Sequence, residues 1–209
     1  DKDYYLEPFV GSGAILENIS GIKRYASDYN VYLIELYKAL QKGWLPPQNI
    51  TEEEYLYIKN NKEENKALTA FVGIGCTFSG KWFGGYARNK DKKNYALAAY
   101  NTLLKQLPKI QDVYFSSVDY KLLNPHNALI YCDPPYQNTT TYGVIGKFNH
   151  TEFWEVMRKW SAENIVFISE YNAPDDFRCA LEIKTKTSIR DKNGEVIDRI
   201  EKLFTKSNK

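Results

Sequence analysis

The hexapeptide YCDPPY at residues 131–136 follows the apolar run NALI at 127–130, so a strand-like segment ends in an acid, two prolines and an aromatic ring. A residue that precedes proline is pushed out of the helical region, and here both Asp133 and Pro134 precede one, so the segment is stiff and extended. Neither Pro134 nor Pro135 can donate a backbone hydrogen bond. Two acceptors, the Asp133 carboxylate and the Pro134 carbonyl, are therefore held open at the carboxyl end of a strand, where α/β sheets bind ligands. An exocyclic amino group has two hydrogens, and this segment offers two fixed acceptors. Tyr136 adds a flat face on which a base can stack, a contact worth about 1 to 3 kcal/mol. In isolation the same residues also read as a proline-stiffened turn with an exposed acid, so the context decides.

That context begins near the N-terminus. DYYLEPFV at 3–10 reads as a strand and GSGAILENI at 11–19 as a glycine turn opening a helix, because Ile15, Leu16 and Ile19 fall at helical spacing. Glycines at 11 and 13 let the backbone approach a ligand closely and put helix N–H groups beside it. Asp28, at the end of the next strand and about 15 to 20 residues on, stands where a carboxylate can bind ribose hydroxyls. The third position of the dinucleotide fingerprint is Leu16 rather than glycine, which favours a nucleoside-containing cofactor without a pyrophosphate.

After the second strand, VYLIELYKALQKGW at 31–44 reads as a helix stopped by Gly43 and the Pro46-Pro47 pair. The βαβα order implies a parallel sheet with helices on its faces. The pattern then changes over residues 45–110. A long helical stretch opens with a capping box at Thr51 and Glu54. A segment rich in glycine, aromatic and basic residues follows at 76–93, and then another helix at 94–107. This block reads as an insertion between the second helix and the third strand. The α/β rhythm returns with strands at 112–120, 127–133 and 164–172, and a helix at 151–161 introduced by Asn149 with Glu152 three residues on. The tail resembles a hairpin turning at Lys192, Asn193 and Gly194.

With 209 residues the chain is long enough for one domain carrying a sizeable insertion. Hydrophobic content of 43% and charged content of 26% are those of a soluble globular protein, whereas 15% aromatic content, with 17 tyrosines, favours flat surfaces or an aromatic core. A net charge of +2 carries no argument for a polyanion partner, so such a site has to be a local patch. Cys76, Cys132 and Cys179 are far apart and in no metal-ligand spacing, which points to reduced thiols, no disulfide and no metal site. His126 and His150 are lone histidines beside loops and caps and read as structural or solvated. No stretch of about 18 apolar residues occurs and no basic-then-apolar leader opens the chain, so a soluble, cytoplasmic protein is expected. The chain begins at Asp1 without a methionine and runs almost at once into a strand, which leaves native upstream sequence to be expected.

Taken in order, EPFVGSG (7–13), SDYN (27–30), VDY (118–120) and YCDPPY (131–136) resemble the motifs of the Dam-like DNA adenine-N6 methyltransferases. FNHTEFWEVMRKW (148–160) and NIVFISEYN (164–172) are similar to that group's later helix and strand. The resemblance implies a Rossmann-like methyltransferase sheet formed by residues 1–44 and 111–209, interrupted by a mostly helical target-recognition region at 45–110. It implies S-adenosylmethionine as cofactor, held by Glu7, Pro8, Phe9, Gly11 and Gly13, by Asp28 with Asn30, by Asp119 and Tyr120, and by Asp133. Asp133, Pro134, Pro135 and Tyr136 would form the catalytic pocket for a flipped base of double-stranded DNA, with no metal, no membrane and a monomeric enzyme expected. Ser169 and Tyr171 close a strand on the same rim and are candidates for the pocket wall.

The segment KWFGGYARNKDKK at 81–93 sets Lys81, Arg88, Lys90, Lys92 and Lys93 beside Trp82, Phe83 and Tyr86. Cations that neutralise phosphates and aromatics that wedge or stack are what a DNA surface needs, so Lys81, Trp82, Arg88, Lys90, Lys92 and Lys93 are the DNA-binding candidates. Two other readings stay open. One is transfer to another planar amine such as cytosine-N4, although Asp rather than Ser or Asn at 133 favours adenine. The other is a non-catalytic or truncated relative that binds DNA or cofactor, because no upstream cofactor motif precedes EPFVGSG.

Overall fold

A computed structural model describes residues 1–88, 93–137, 148–190 and 196–207. Its centre is a seven-stranded mixed sheet in an α/β arrangement. The strands are β1 (Tyr4–Glu7), β2 (Lys23–Ser27), β3 (Val113–Ser116), β4 (Ala128–Cys132), β5 (Ile165–Glu170), β6 (Phe177–Arg190) and β7 (Val196–Lys206), ordered β3-β2-β1-β4-β5-β7-β6. The first five are mutually parallel, while β7 runs antiparallel to both β5 and β6. From β1 the chain winds outward through β2 to β3, then returns to place β4 on β1's other side. The strand order thus reverses between β1 and β4, the position where open α/β sheets form a crevice beyond their carboxyl ends.

Each face of the sheet has its own apolar cluster because adjacent strand residues point opposite ways. Tyr5, Ala26, Val113 and Phe115 face α1 (Val31–Gln41), where Ile34 is fully buried and the Tyr37 ring stacks on Phe115 with centroids 4.7 Å apart. Leu6, Ile130, Cys132 and Ile168 face α5 (His150–Trp160), which buries Phe153, Trp154, Met157 and Trp160. The apolar residues of α5 recur at spacings of three and four and so form one stripe.

Between α1 and β3 lie α2 (Glu52–Asn60), α3 (Lys66–Ala70), a π-helical turn at Phe71–Gly75 and α4 (Tyr95–Gln106). Thr51 and Glu54 form a reciprocal capping box, and Asn94 and Asn149 accept from the third backbone N–H of α4 and α5. The long helical stretch expected from 51 to 75 is instead divided at NNKEEN, where α2 ends and Asn65 caps α3. Ile50, Tyr55, Phe71, Val72, Cys76 and Phe83 join the same apolar cluster as α1 and its face of the sheet.

The helix expected over 11–19 does not form. Only a 3-10 turn, Leu16–Asn18, follows the glycines. Gly11, Gly13 and Gly21 all take positive φ, leaving a span too short to nucleate an α-helix. The turn's carbonyls are satisfied from outside: the buried Arg24 guanidinium donates to Leu16 O at 3.1 Å and Ile19 O at 2.9 Å while pairing with Asp112. The tail is a hairpin as expected, and its turn at 192–194 lies outside the described residues.

Candidate active site

The loop leaving β1 is held from three directions. Gly11 N donates to Asp28 Oδ2 at 3.0 Å, Tyr37 Oη of α1 donates to Gly11 O at 2.8 Å, and Gln106 Nε2 of α4 donates to Ser12 O at 2.8 Å. Gly13 has φ +69°, and a Cβ there would stand 3.1 Å from Gln106 Nε2 and 3.2 Å from Tyr37 Oη. Gly11 has φ +45° and faces open space. One glycine is thus fitted against the protein, and the other opens onto the cavity.

Asp28 follows directly on β2. Its Oδ1 accepts from Asn30 N at 2.9 Å and its Oδ2 from Gly11 N. Burial pushes its carboxyl above the ordinary range, and these two N–H groups oppose the shift. Each oxygen keeps a lone pair for a hydroxyl donor. The Asn30 side chain accepts from Tyr32 N and Leu33 N and so serves as the N-cap of α1.

Asp119 Oδ1 accepts from Lys121 N at 3.0 Å and fixes the turn after β3. Tyr120 is buried, with its ring 5.0 Å from Phe9, 5.9 Å from Phe148 and 5.8 Å from Phe153. These rings form an aromatic wall, one member of which, Phe148, the motifs do not single out.

Beyond β4, Pro134 is buried, while Asp133 opens onto the crevice. The surrounding protein raises the Asp133 carboxyl above its usual range; a hydrogen bond from the Tyr136 hydroxyl opposes this, and the charges of Glu201 and Glu170 add to it. Tyr136 is in turn hydrogen-bonded to Ser169, whose hydroxyl lies 2.8 Å from Tyr131 Oη. A chain of hydroxyls therefore connects the ends of β4 and β5 to Asp133. The Tyr136 ring meets Tyr171 edge-on with centroids 4.8 Å apart, and the buried Glu170 accepts from Gln137 N at 2.6 Å, tying down the segment just past Tyr136. At the end of β1, Glu7 is 2% exposed and accepts from Tyr5 Oη at 2.7 Å. Burial drives its carboxyl up to about 7, with Tyr5 opposing and Asp133 adding to the shift.

One cavity of about 1110 Å³ runs through all of these elements. It is lined by Glu7, Pro8, Phe9, Gly11, Asp28, Asn30, Asp119 and Tyr120, by Asp133, Pro134, Pro135 and Tyr136, and by Tyr171, whereas the candidates Gly13 and Ser169 lie outside the lining. Residues that sequence reading did not single out, including Phe71, Ile74, Leu103, Gln106 and Phe148, complete the wall. The roles of the first four depend on helices folding over the crevice, which leaves no local signature, whereas Phe148 opens the stretch 148–160 already likened to the family's later helix.

The DNA-binding candidates are more scattered. Lys81 is exposed, and Trp82 is half-buried, lining the cavity with its ring 5.5 Å from Tyr32. Arg88 pairs with Glu52, and the Lys93 ammonium lies 5.3 Å above the Tyr95 ring. Both border a separate cavity of about 360 Å³. Phe83 is buried, and the Tyr86 hydroxyl donates to Ile50 O at 2.7 Å, so both rings serve the core rather than a free surface. Lys90 and Lys92 lie outside the described residues. Among the described residues no group of three or more His, Cys, Asp or Glu side chains is placed to hold a metal ion, and no helix is long and apolar enough to cross a membrane.

A seven-stranded mixed sheet with this crevice fits a methyltransferase fold. The chain belongs to the D12 class N6 adenine-specific DNA methyltransferase family, whose model it matches over residues 1–72 and 76–194. It is similar to the DNA adenine methylases of two Vibrio cholerae serotype O1 strains, classical Ogawa and El Tor Inaba, with 24% identity over 160 residues in each case. The match takes in 65% of this chain and 57% of either relative, so the chain spans little more than half the length of the relatives it matches.

Proposed function

We propose that this protein transfers a methyl group from S-adenosylmethionine to the N6 amino group of an adenine flipped out of double-stranded DNA. The observation that carries this reading is the single cavity joining the glycine turn and Asp28 to Asp133–Tyr136 across the β1/β4 crevice. Its residues suit that cofactor. Gly11 leaves the turn open on the cavity side, Asp28 retains lone pairs for ribose hydroxyls, and Glu7 sets a carboxyl where a cationic ligand would sit. The strand order supports a Rossmann-like sheet built from residues 1–44 and 111–209, with 45–110 as the inserted target-recognition region.

When bound, S-adenosylmethionine supplies an electrophilic methyl group on a sulfonium whose departure as a neutral thioether drives the transfer. An aromatic amine is a weak nucleophile because its lone pair is delocalised into the ring. The Asp133 carboxylate and the Pro134 carbonyl accept the two amino hydrogens and orient that lone pair toward the cofactor side of the cavity. The Tyr136 hydroxyl, braced by Ser169, sets the angle of the Asp133 carboxylate, while its ring offers a face to the base. Orientation and electrostatics do the work, without a covalent enzyme intermediate, and the proton that the methylated amine sheds passes to the Asp133 carboxylate that holds it and from there to solvent. Lys81, Trp82, Arg88, Lys90, Lys92 and Lys93 would meet the duplex, with base flipping required because the target amine lies inside it.

The test is transfer of labelled methyl from S-adenosylmethionine to unmethylated duplex DNA, with the product nucleosides separated. N6-methyladenine is expected, and Asp133→Ala should lower its formation by about a hundredfold to a thousandfold. Label confined to N4-methylcytosine would move the assignment to cytosine. No transfer by the folded protein, with or without cofactor binding, would favour a non-catalytic relative.

A further inference from the structure

We propose that Gln106 is a positioning residue for the cofactor, holding the glycine turn in its binding shape from a helix distant in sequence. Gln106 is the last residue of α4, 94 positions along the chain from Ser12, and is only 6% exposed. Glutamine is seldom buried without its polar atoms in use. Here the amide Nε2 donates to Ser12 O at 2.8 Å, between the two glycines, and the same side chain lines the cavity. Tyr37 performs the matching task one residue earlier, donating to Gly11 O at 2.8 Å. Both groups fill the space that a Cβ at Gly13 would need. The turn is therefore clamped by two side chains at successive carbonyls, and their donors fix which way its peptide groups point.

The two clamps come from different parts of the chain. Tyr37 belongs to α1, which lies directly against the sheet, whereas α4 belongs to residues 45–110 and presents Ala99, Thr102 and Leu103 to the same cavity. Affinity for the cofactor is thereby set in part by the block that meets DNA in the function proposed above, on which this inference rests.

The experiment compares wild type, Gln106→Glu and Gln106→Met by calorimetric titration with S-adenosylmethionine and by steady-state kinetics. Glutamate keeps the size but at neutral pH presents a carboxylate to the Ser12 carbonyl. Methionine keeps the packing without a donor. Each variant should bind the cofactor about five- to tenfold more weakly, the worth of one buried hydrogen bond. The KM for cofactor should rise by a similar factor, while kcat at saturating cofactor stays within about twofold. Should Gln106→Glu fail to melt cooperatively, Gln106→Met is read alone. Variants that bind as tightly as wild type, or that lose kcat with cofactor KM unchanged, overturn the positioning role. Wild type that folds but does not bind S-adenosylmethionine overturns both this role and the proposed function.

Discussion

Glu7 is a carboxyl that the fold holds against its own stability. It sits 2% exposed at the end of β1, with one hydrogen bond from Tyr5 and the Asp133 charge nearby, and burial drives its pKa from 4.5 up to about 7. In the unfolded chain it ionises freely near 4.5. Between those two values the native state binds a proton that the unfolded state has released, so stability falls as pH rises through the window. Below about 4.5 the contribution is fully present, and above about 7 it is gone. The displacement corresponds to roughly 3 kcal/mol.

Glu7→Gln removes this ionisation while keeping a side-chain oxygen to accept from Tyr5. Urea unfolding of both proteins, followed by tryptophan fluorescence from about pH 4.5 to 8, measures the difference directly. The stability of the variant relative to wild type should increase by roughly 3 kcal/mol across that range. Asp28, Asp133 and Glu170 also have raised carboxyls, but they are common to both proteins and largely cancel in the comparison. A difference that stays flat with pH would show that Glu7 is solvated or otherwise compensated and that the reasoning about its burial is wrong.

Two backbone predictions follow from the glycine turn and the helix caps. Gly13→Ala meets Gln106 and Tyr37 at φ +69° and should lose more stability in urea than Gly11→Ala, which faces open space at φ +45° and bears backbone strain of about 1 kcal/mol alone; equal losses would count against the clamp. Asn149→Ala removes the side chain that accepts from Glu152 N at the start of α5, and should cost about 1 kcal/mol by the same assay, whereas Asn149→Ser should restore most of it.

The parts of the site that sequence reading reached are those where chemistry acts on the local backbone. Two consecutive prolines stiffen residues 133–136 whatever surrounds them, and glycines at 11 and 13 permit positive φ in any context. The caps at Thr51 and Asn149 are local in the same sense. What stayed hidden depends on distant partners. The apolar spacing at Ile15, Leu16 and Ile19 signals a helix, yet Arg24 satisfies the turn carbonyls instead, and only the folded register of β2 brings it there. Phe83 and Tyr86 look like a DNA-facing aromatic patch but are drawn into the core that α2 and α4 close. Gln106 belongs to an ordinary-looking helix whose last residue happens to reach Ser12.

Glu7 connects these two kinds of legibility. As a letter of EPFVGSG it is readable, but its physical consequence comes from β4 lying beside β1, which buries it next to Asp133. A neutral residue there would make a more stable protein by the reasoning above. A buried acid that weakens the fold makes sense where its charge serves a ligand, and the ligand proposed for this cavity carries a positive charge. Cofactor binding by Glu7→Gln should therefore weaken at the same pH where its stability gains most. If affinity for S-adenosylmethionine is unchanged in that variant, the acid has no such role and the strain it introduces has no functional explanation in this site.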